Sequence, residues 1–262
     1  MKKLTLSALL MLAGIAALPG VARAEDPAPA AAPASPLSFN IGVVTDYRYR
    51  GISQSRVKPA LQGGADYAAA NGAYVGTWLS TIDWIKDAGT IAGVDSGSTN
   101  FEWDLYGGYK GELAKDLTYD VGGLYYLYVS NNYANVPGGA NANTFEIYGA
   151  ITYGMFTAKY SHGLTNLFGY ADSKGSGYLD LSANVDLGSG WSVTPHIGHQ
   201  TVHNTGIASY TDYSLTLGKD LGNGVSLSAA VLGTDANKGV YITPAGKFTG
   251  KSGIVLGAKY TF

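Results

Sequence analysis

The sequence contains no cysteine, and only 14% of its residues are charged. Without cysteine, disulfides, thiolate metal sites and a lipid-modified N-terminal cysteine are excluded. After residue 24 no run approaches the roughly 18 apolar residues that a transmembrane helix requires, which excludes a helical membrane protein. The formal net charge is −2. No basic face is available to neutralise phosphates, so nucleic acid is not an expected partner.

The N-terminal residues have the pattern of a secretory signal peptide. Lys2 and Lys3 precede an apolar stretch from Leu4 to Gly20, and Ala22-Arg23-Ala24 forms a small-residue cleavage site. We therefore predict a cleaved signal peptide at 1–24. Residues 25–36 are rich in proline and alanine and lack bulky apolar side chains, which predicts a disordered linker. The remaining residues, 37–262, are predicted to form one domain.

From Leu37 onward, apolar and polar residues alternate with a period of two, which indicates β-strands. Tight connections rich in glycine alternate with longer loops such as 84–99, 130–143 and 236–250. Outer-membrane barrels have short turns on one side, long loops on the other and an even number of strands. We count twelve segments: 37–50, 58–70, 73–83, 100–110, 117–129, 144–153, 156–163, 177–187, 191–202, 209–219, 225–235 and 251–262.

One face of these segments carries no ionic residue and has aromatic residues near both ends. Phe101, Trp103 and Leu105 share such a face, while Glu102 and Asp104 lie on the other. Lipid contact favours this arrangement, since aromatic side chains suit both membrane interfaces. A sheet in hydrocarbon must also close on itself, because it cannot leave its edges unpaired. The sequence therefore predicts an all-β transmembrane antiparallel barrel with its apolar face outward.

The final segment ends in Tyr260 and Phe262 on the outward face. It resembles the C-terminal strand by which the barrel-assembly machinery recognises its substrates. Two segments fit the pattern less well. Pro195 lacks a ladder donor, so we expect a bulge there, and the faces of 73–83 are ambiguous because Val75 and Leu79 compete with Tyr74 and Trp78.

The inward face is predicted to be a polar, mildly acidic lumen. Carboxylates along a narrow water-filled path raise the local cation concentration, which favours a modest cation preference. Alternatively, these charges pair across strands and merely fill the interior. The predicted pore-lining residues are Asp46, Arg48, Arg50, Gln62, Asp66, Glu102, Asp104, Asp120, Glu146, Lys159, Asp180 and Lys259, with Lys110 and Asp186 also on the inward face.

Arg48 and Arg50 belong to a basic cluster where the first strand enters its outer loop. Guanidinium groups bind carboxylates and phosphates bidentately. The cluster is therefore a candidate charged constriction or solute-orienting group. A structural salt-bridge network, or contact with anionic lipid, would explain the same residues.

Catalysis has little support in the sequence. His196 and His199 fall on opposite faces of one strand, which suits neither a metal pair nor a base with its orienting residue. No G-x-S-x-G motif is present, although a serine and a histidine on different strands could still pair. No cofactor and no metal are predicted.

Several motifs resemble the TorF family, a proteobacterial group for which porin activity has been proposed. They include the run from Asp46 to Ser55, Gly72-Ala73-Tyr74-Val75-Gly76-Thr77-Trp78, Glu102-Trp103-Asp104-Leu105-Tyr106, and Phe145-Glu146-Ile147-Tyr148, and they cover most of residues 40–150. This resemblance implies an outer-membrane barrel with porin activity. It implies no catalytic or ligand residue.

Taken from its residues, the chain is predicted to lie in the outer membrane of a Gram-negative bacterium, in contact with lipid. The expected function is a porin-like channel for passive diffusion of small polar solutes or ions. Two alternatives remain open: a non-conducting structural or adhesive barrel, and an outer-membrane enzyme that depends on His196 or His203.

Overall fold

The computed structural model describes residues 35–262. The predicted signal peptide, 1–24, lies outside the described residues, as does the predicted linker except for its last two residues. Pro36 already joins the sheet, because its carbonyl accepts a hydrogen bond from the Ala68 amide at 2.8 Å.

Twelve antiparallel strands form a closed barrel, as predicted. The eighth strand consists of two consecutive pieces. In chain order the strands are β1 Leu37–Val44, β2 Ala60–Ala68, β3 Ala73–Thr81, β4 Phe101–Ala114, β5 Leu117–Leu127, β6 Thr144–Tyr153, β7 Phe156–Gly163, β8 Gly177–Ala183 with Val185–Gly188, β9 Trp191–Thr201, β10 Tyr210–Gly222, β11 Val225–Thr234 and β12 Gly253–Thr261.

The last strand closes the barrel against the first. β1 and β12 pair in antiparallel register from Asn40 opposite Thr261 to Val44 opposite Gly257. The Phe39 amide donates to the Phe262 carbonyl at 2.8 Å, and Phe262 donates back to Phe39 at 2.9 Å. Every strand of the barrel therefore has two hydrogen-bonded neighbours, which is the condition for a sheet to lie in hydrocarbon.

The apolar face of the barrel looks outward, as predicted. Leu105, Ile147 and Leu256 are 39%, 44% and 52% exposed, whereas Glu102 is only 2% exposed. A soluble sandwich would show the reverse, with its aliphatic side chains in a shared interior. The outward face is therefore the lipid-facing surface.

Turns and loops divide between the two ends of the barrel. Five tight turns, near residues 70, 115, 154, 189 and 223, lie at the same end of the barrel as the start of β1 and the end of β12. We call this the periplasmic end. The outer loops carry an α-helix, α1 Trp84–Ala92, and two 3-10 helices, Tyr133–Asn135 and Gly206–Ala208. No helix among residues 35–262 is long and apolar enough to cross a membrane.

The expected bulge at Pro195 is absent. Pro195 pairs regularly with Leu215 on β10, and β8 keeps one register on both sides of its break at Asn184. In that register Ala183 stands opposite Pro195. Pro195 has no backbone N–H to donate to β8, and β8 is interrupted directly after Ala183. The faces of β3 are also defined, with Val75 and Leu79 exposed and Trp78 buried.

Candidate functional site

A short hairpin folds into the lumen directly after β1. The sequence predicted one strand over 37–50, but β1 ends at Val44, and Arg48–Tyr49 pair instead with Ile52–Ser53. Arg50 and Gly51 form the turn with φ of 46° and 78°, as a tight hairpin requires. We call residues 46–55 the inner hairpin.

The base of the inner hairpin is anchored by Asp46 and Arg48. The Arg48 Nε atom donates to the Asp46 carboxylate, which also accepts from the Ser53 hydroxyl at 2.5 Å. Arg48 Nη1 donates to the backbone carbonyls of Thr249 and Lys251 at 2.8 and 3.1 Å. This side chain therefore ties the hairpin to the last outer loop.

The tip of the inner hairpin is held on the far wall by Arg50. Its guanidinium forms a bidentate pair with Glu146, at 2.7 and 3.0 Å, and donates to Gln200 Oε1 at 2.5 Å. The same group lies over the Tyr178 ring, 4.3 Å from its centroid. Arg48 and Arg50 both lie inside the barrel, but they act separately.

Aromatic rings pack around the hairpin in the outer half of the lumen. Tyr47 and Tyr128 both donate to Glu102, the latter at 2.5 Å, and Tyr49 contacts Tyr126 through their hydroxyls at 2.5 Å. Asp104 is fully buried, and neither of its carboxylate oxygens has a hydrogen-bond partner. The outer half of the lumen is therefore densely filled.

The periplasmic half of the lumen is more open. Asp66, Lys110, Asp120, Lys159 and Lys259 are only partly buried, unlike Glu102 and Glu146 above them. Small residues occupy inward positions of this half, among them Gly76, Gly108, Gly122 and Ala150.

Inward tyrosines in this region lie flat over the glycines of neighbouring strands. Gly122 pairs with Tyr148 across β5 and β6, and a Cβ at Gly122 would lie 2.5 Å from the Tyr148 hydroxyl oxygen. Gly76 pairs in the same way with Tyr106. The rings therefore follow the wall instead of crossing the lumen.

The hydroxyls of inward tyrosines donate hydrogen bonds to carboxylates of the lumen. Tyr106 donates to Asp66 at 2.5 Å, and Tyr74 donates to Asp120 at 2.6 Å. The Lys159 ammonium lies 4.1 Å from the centroid of the Tyr148 ring. The Gln62 amide, by contrast, donates to the Ser80 hydroxyl at 3.3 Å.

Asp212 is an inward acidic residue that the sequence reasoning missed. His196 Nε2 lies 3.0 Å from Asp180, its Nδ1 lies 3.7 Å from Asp212, and the Tyr178 hydroxyl donates to Asp212 at 2.9 Å. The alternation of β10 could have revealed it, because Asp212 has the opposite parity to Leu215 and Leu217 on the apolar face. Asp186, placed on the inward face by sequence, is exposed at the periplasmic rim.

The two histidines considered for catalysis do not form one site. His203 is exposed in the outer loop between β9 and β10, whereas His196 lies on the lumen wall. Within residues 35–262, no group of three or more His, Cys, Asp or Glu side chains is arranged to hold a metal ion.

Outside the barrel, Arg56 joins the first outer loop to α1. Its Nε atom donates to the Asp87 carboxylate at 3.0 Å, and the hydrogen bond to Asp87 raises the pKa of the Arg56 guanidinium. The segment that follows the inner hairpin is therefore held in place by its contact with α1.

A closed transmembrane barrel with an apolar exterior and charged inward side chains has the fold of the outer-membrane porins. The chain belongs to the family described as bacterial protein of unknown function (Gcw_chp), whose model matches residues 28–262. The TorF resemblance remains a prediction. No curated protein matches the sequence.

Solved structures of porins share this fold. A KdgM porin superposes with a TM-score of 0.53 at 8% identity, covering 86% of this chain and 99% of its own. A NanC porin gives 0.52 at 11% identity, covering 86% and 98%. A second KdgM structure, in complex with disordered oligogalacturonate, gives 0.52 at 7% identity, covering 86% and 98%. These identities establish similarity of fold alone.

Proposed function

We propose that the protein is an outer-membrane channel for passive diffusion of small polar solutes, with a modest preference for cations. The observation that carries this proposal is the partly buried charged lining of the periplasmic half, inside a barrel whose exterior is apolar. Charged side chains that face a lumen must be either paired or hydrated. The partial exposure of these residues favours hydration. Barrels of twelve strands lie between packed eight-stranded barrels and open ones of about sixteen.

The cation preference rests on the balance of inward charge. Acidic side chains outnumber basic ones inside the barrel, and Asp212 adds to the acidic side while Asp186 leaves it. Carboxylates along a narrow path lower the entry barrier for positive ions. Asp66 and Asp120 are the residues best placed to act, since both are partly buried and, within residues 35–262, accept hydrogen bonds only from tyrosines.

In this proposal the inner hairpin is the constriction. It reaches from β1 to Glu146 and Gln200 on the opposite wall, so a solute must pass beside Arg50. Arg48 has an anchoring role at the hairpin base. Below the hairpin, the path is lined by the predicted residues that are only partly buried: Asp66, Asp120, Lys159, Asp180 and Lys259. Gln62, Glu102 and Asp104 are buried and do not line it.

Conductance of the purified protein in a planar bilayer tests the proposal. We expect ion-conducting steps and a reversal potential on the cation-selective side. Asp66→Asn combined with Asp120→Asn should shift the reversal potential toward zero. Asp172→Asn is the matched control, because Asp172 is exposed in an outer loop with φ of 56°, a conformation that asparagine tolerates.

The filled outer half of the lumen favours one alternative, a non-conducting structural barrel. Tyr47 is 0% exposed and Tyr126 is 2% exposed, so the hairpin region is packed like a protein core. A bilayer that stays sealed at every voltage tested would establish that alternative and remove the channel proposal.

A further inference from the structure

Charged side chains follow one continuous path around the lumen wall, with alternating sign from Lys110 to Asp180. Successive strands place Lys110 opposite Asp120, Asp120 opposite Ala150, Ala150 opposite Lys159, and Lys159 opposite Asp180. The path then continues from Asp180 through Gly198 to Asp212. We call Lys110, Asp120, Lys159, Asp180 and Asp212 the charge row.

The charge row connects the two halves of the lumen. Neighbouring strands lie about 4.8 Å apart, so the row extends roughly 29 Å over seven strands. It begins near the periplasmic end of β4 and ends at Asp212, which lies against Gly51 at the tip of the inner hairpin. A solute that passes the constriction therefore meets this row next.

The centre of the row offers one cation and one anion that are not paired with each other. No carboxylate among the described residues lies within 4.0 Å of the Lys159 ammonium, whose contact is with the Tyr148 ring. Asp120 accepts a hydrogen bond from Tyr74, and within residues 35–262 no basic group is within ion-pair distance of it. Ala150, whose side chain is a single methyl group, stands between Asp120 and Lys159 in the register.

We propose that the segment from Asp120 to Lys159 is a binding site for small zwitterionic solutes, that is, molecules carrying both an ammonium and a carboxylate. The solute ammonium would face Asp120 and its carboxylate would face Lys159, with Tyr148 and Ala150 beneath. A purely cationic or anionic solute would meet attraction from one group and repulsion from the other. This inference rests on the proposed diffusion function and names its substrate class.

The test compares solutes of matched size in proteoliposomes that contain the purified full chain. The probes are alanine as the zwitterion, lactamide as the neutral molecule, alaninamide as the cation and lactate as the anion. We expect alanine to enter about two- to fivefold faster than lactamide, the ratio that an exposed charge contact provides. Lys159→Met should abolish this excess, whereas Lys238→Met, in an exposed outer loop, should leave it unchanged.

Asp120→Asn is a second variant that keeps a hydrogen-bond acceptor for Tyr74, and it should also abolish the alanine excess. Equal entry of alanine and lactamide through a conducting wild-type barrel would overturn the zwitterion site and leave the channel proposal standing. Retention of the full excess in both Lys159→Met and Asp120→Asn would likewise overturn it. Absence of both conductance and solute entry would instead overturn the channel proposal, and the site with it.

Discussion

Replacing Arg50 by methionine should release the inner hairpin from the lumen wall. The guanidinium and the Glu146 carboxylate are 7% and 2% exposed, so their pair is buried. Removing one partner of a buried ion pair costs about 3–5 kcal/mol, because the other charge is left without compensation. Each 1.36 kcal/mol changes an equilibrium constant by a factor of ten. The ratio of docked to undocked hairpin should therefore fall roughly 10²- to 10⁴-fold.

A single thiol can report this equilibrium, since the chain has no cysteine of its own. Ile52 is 6% exposed in the inner hairpin, so the thiol of Ile52→Cys should react slowly with a water-soluble maleimide. Adding Arg50→Met should accelerate the reaction by up to the same factor. Lys238→Cys, in an exposed loop, supplies the control whose rate should not change.

A further substitution separates the ion pair from a general loss of packing. When Glu146→Leu is added to Arg50→Met, no unpaired charge remains, so much of the protection should return. Unchanged protection of the Ile52→Cys thiol in Arg50→Met would refute the reasoning. It would mean that Arg48 and the aromatic packing hold the hairpin without Arg50.

Two further predictions concern the barrel wall and its final strand. Gly122→Ala should destabilise the barrel by about 1–3 kcal/mol through overpacking against Tyr148, measured as a lower temperature for loss of the heat-modifiable folded band. Gly149→Ala should be tolerated, because the nearest atom to its Cβ is 4.0 Å away; equal effects would contradict the ring-on-glycine arrangement. If the final strand is an assembly signal, Phe262→Ala should lower the folded fraction in outer membranes, while Phe145→Ala should not, and equal yields would argue against that role.

The period-two alternation predicted the barrel, its strand number and its lipid face because each strand carries that information locally. The same pattern misplaced the end of β1. Tyr47, Arg48, Tyr49 and Arg50 alternate as a strand does, and the inner hairpin is itself extended chain. Alternation cannot distinguish a strand that continues in the wall from one that turns back into the lumen.

Local sequence pattern could not predict which side chains contact each other in the lumen. Arg50 and Glu146 are 96 residues apart, and nothing in either neighbourhood indicates the other. The segment of α1 was predicted only as a loop, because nine residues are too few for a helical repeat of apolar residues to be recognised. Asp212, by contrast, follows from parity alone once the strand containing it is recognised.

The position of the inner hairpin along the chain has a consequence for assembly. Its segment is made directly after β1, yet its anchoring partners on Glu146, Gln200 and Thr249 come 96, 150 and 201 residues later. Closing such long stretches of chain is slow and unfavourable until other contacts bring their ends together. Most of the cylinder must therefore be complete before the inner hairpin can settle inside it. A nascent barrel thus passes through a stage in which its bore is wider than in the finished protein.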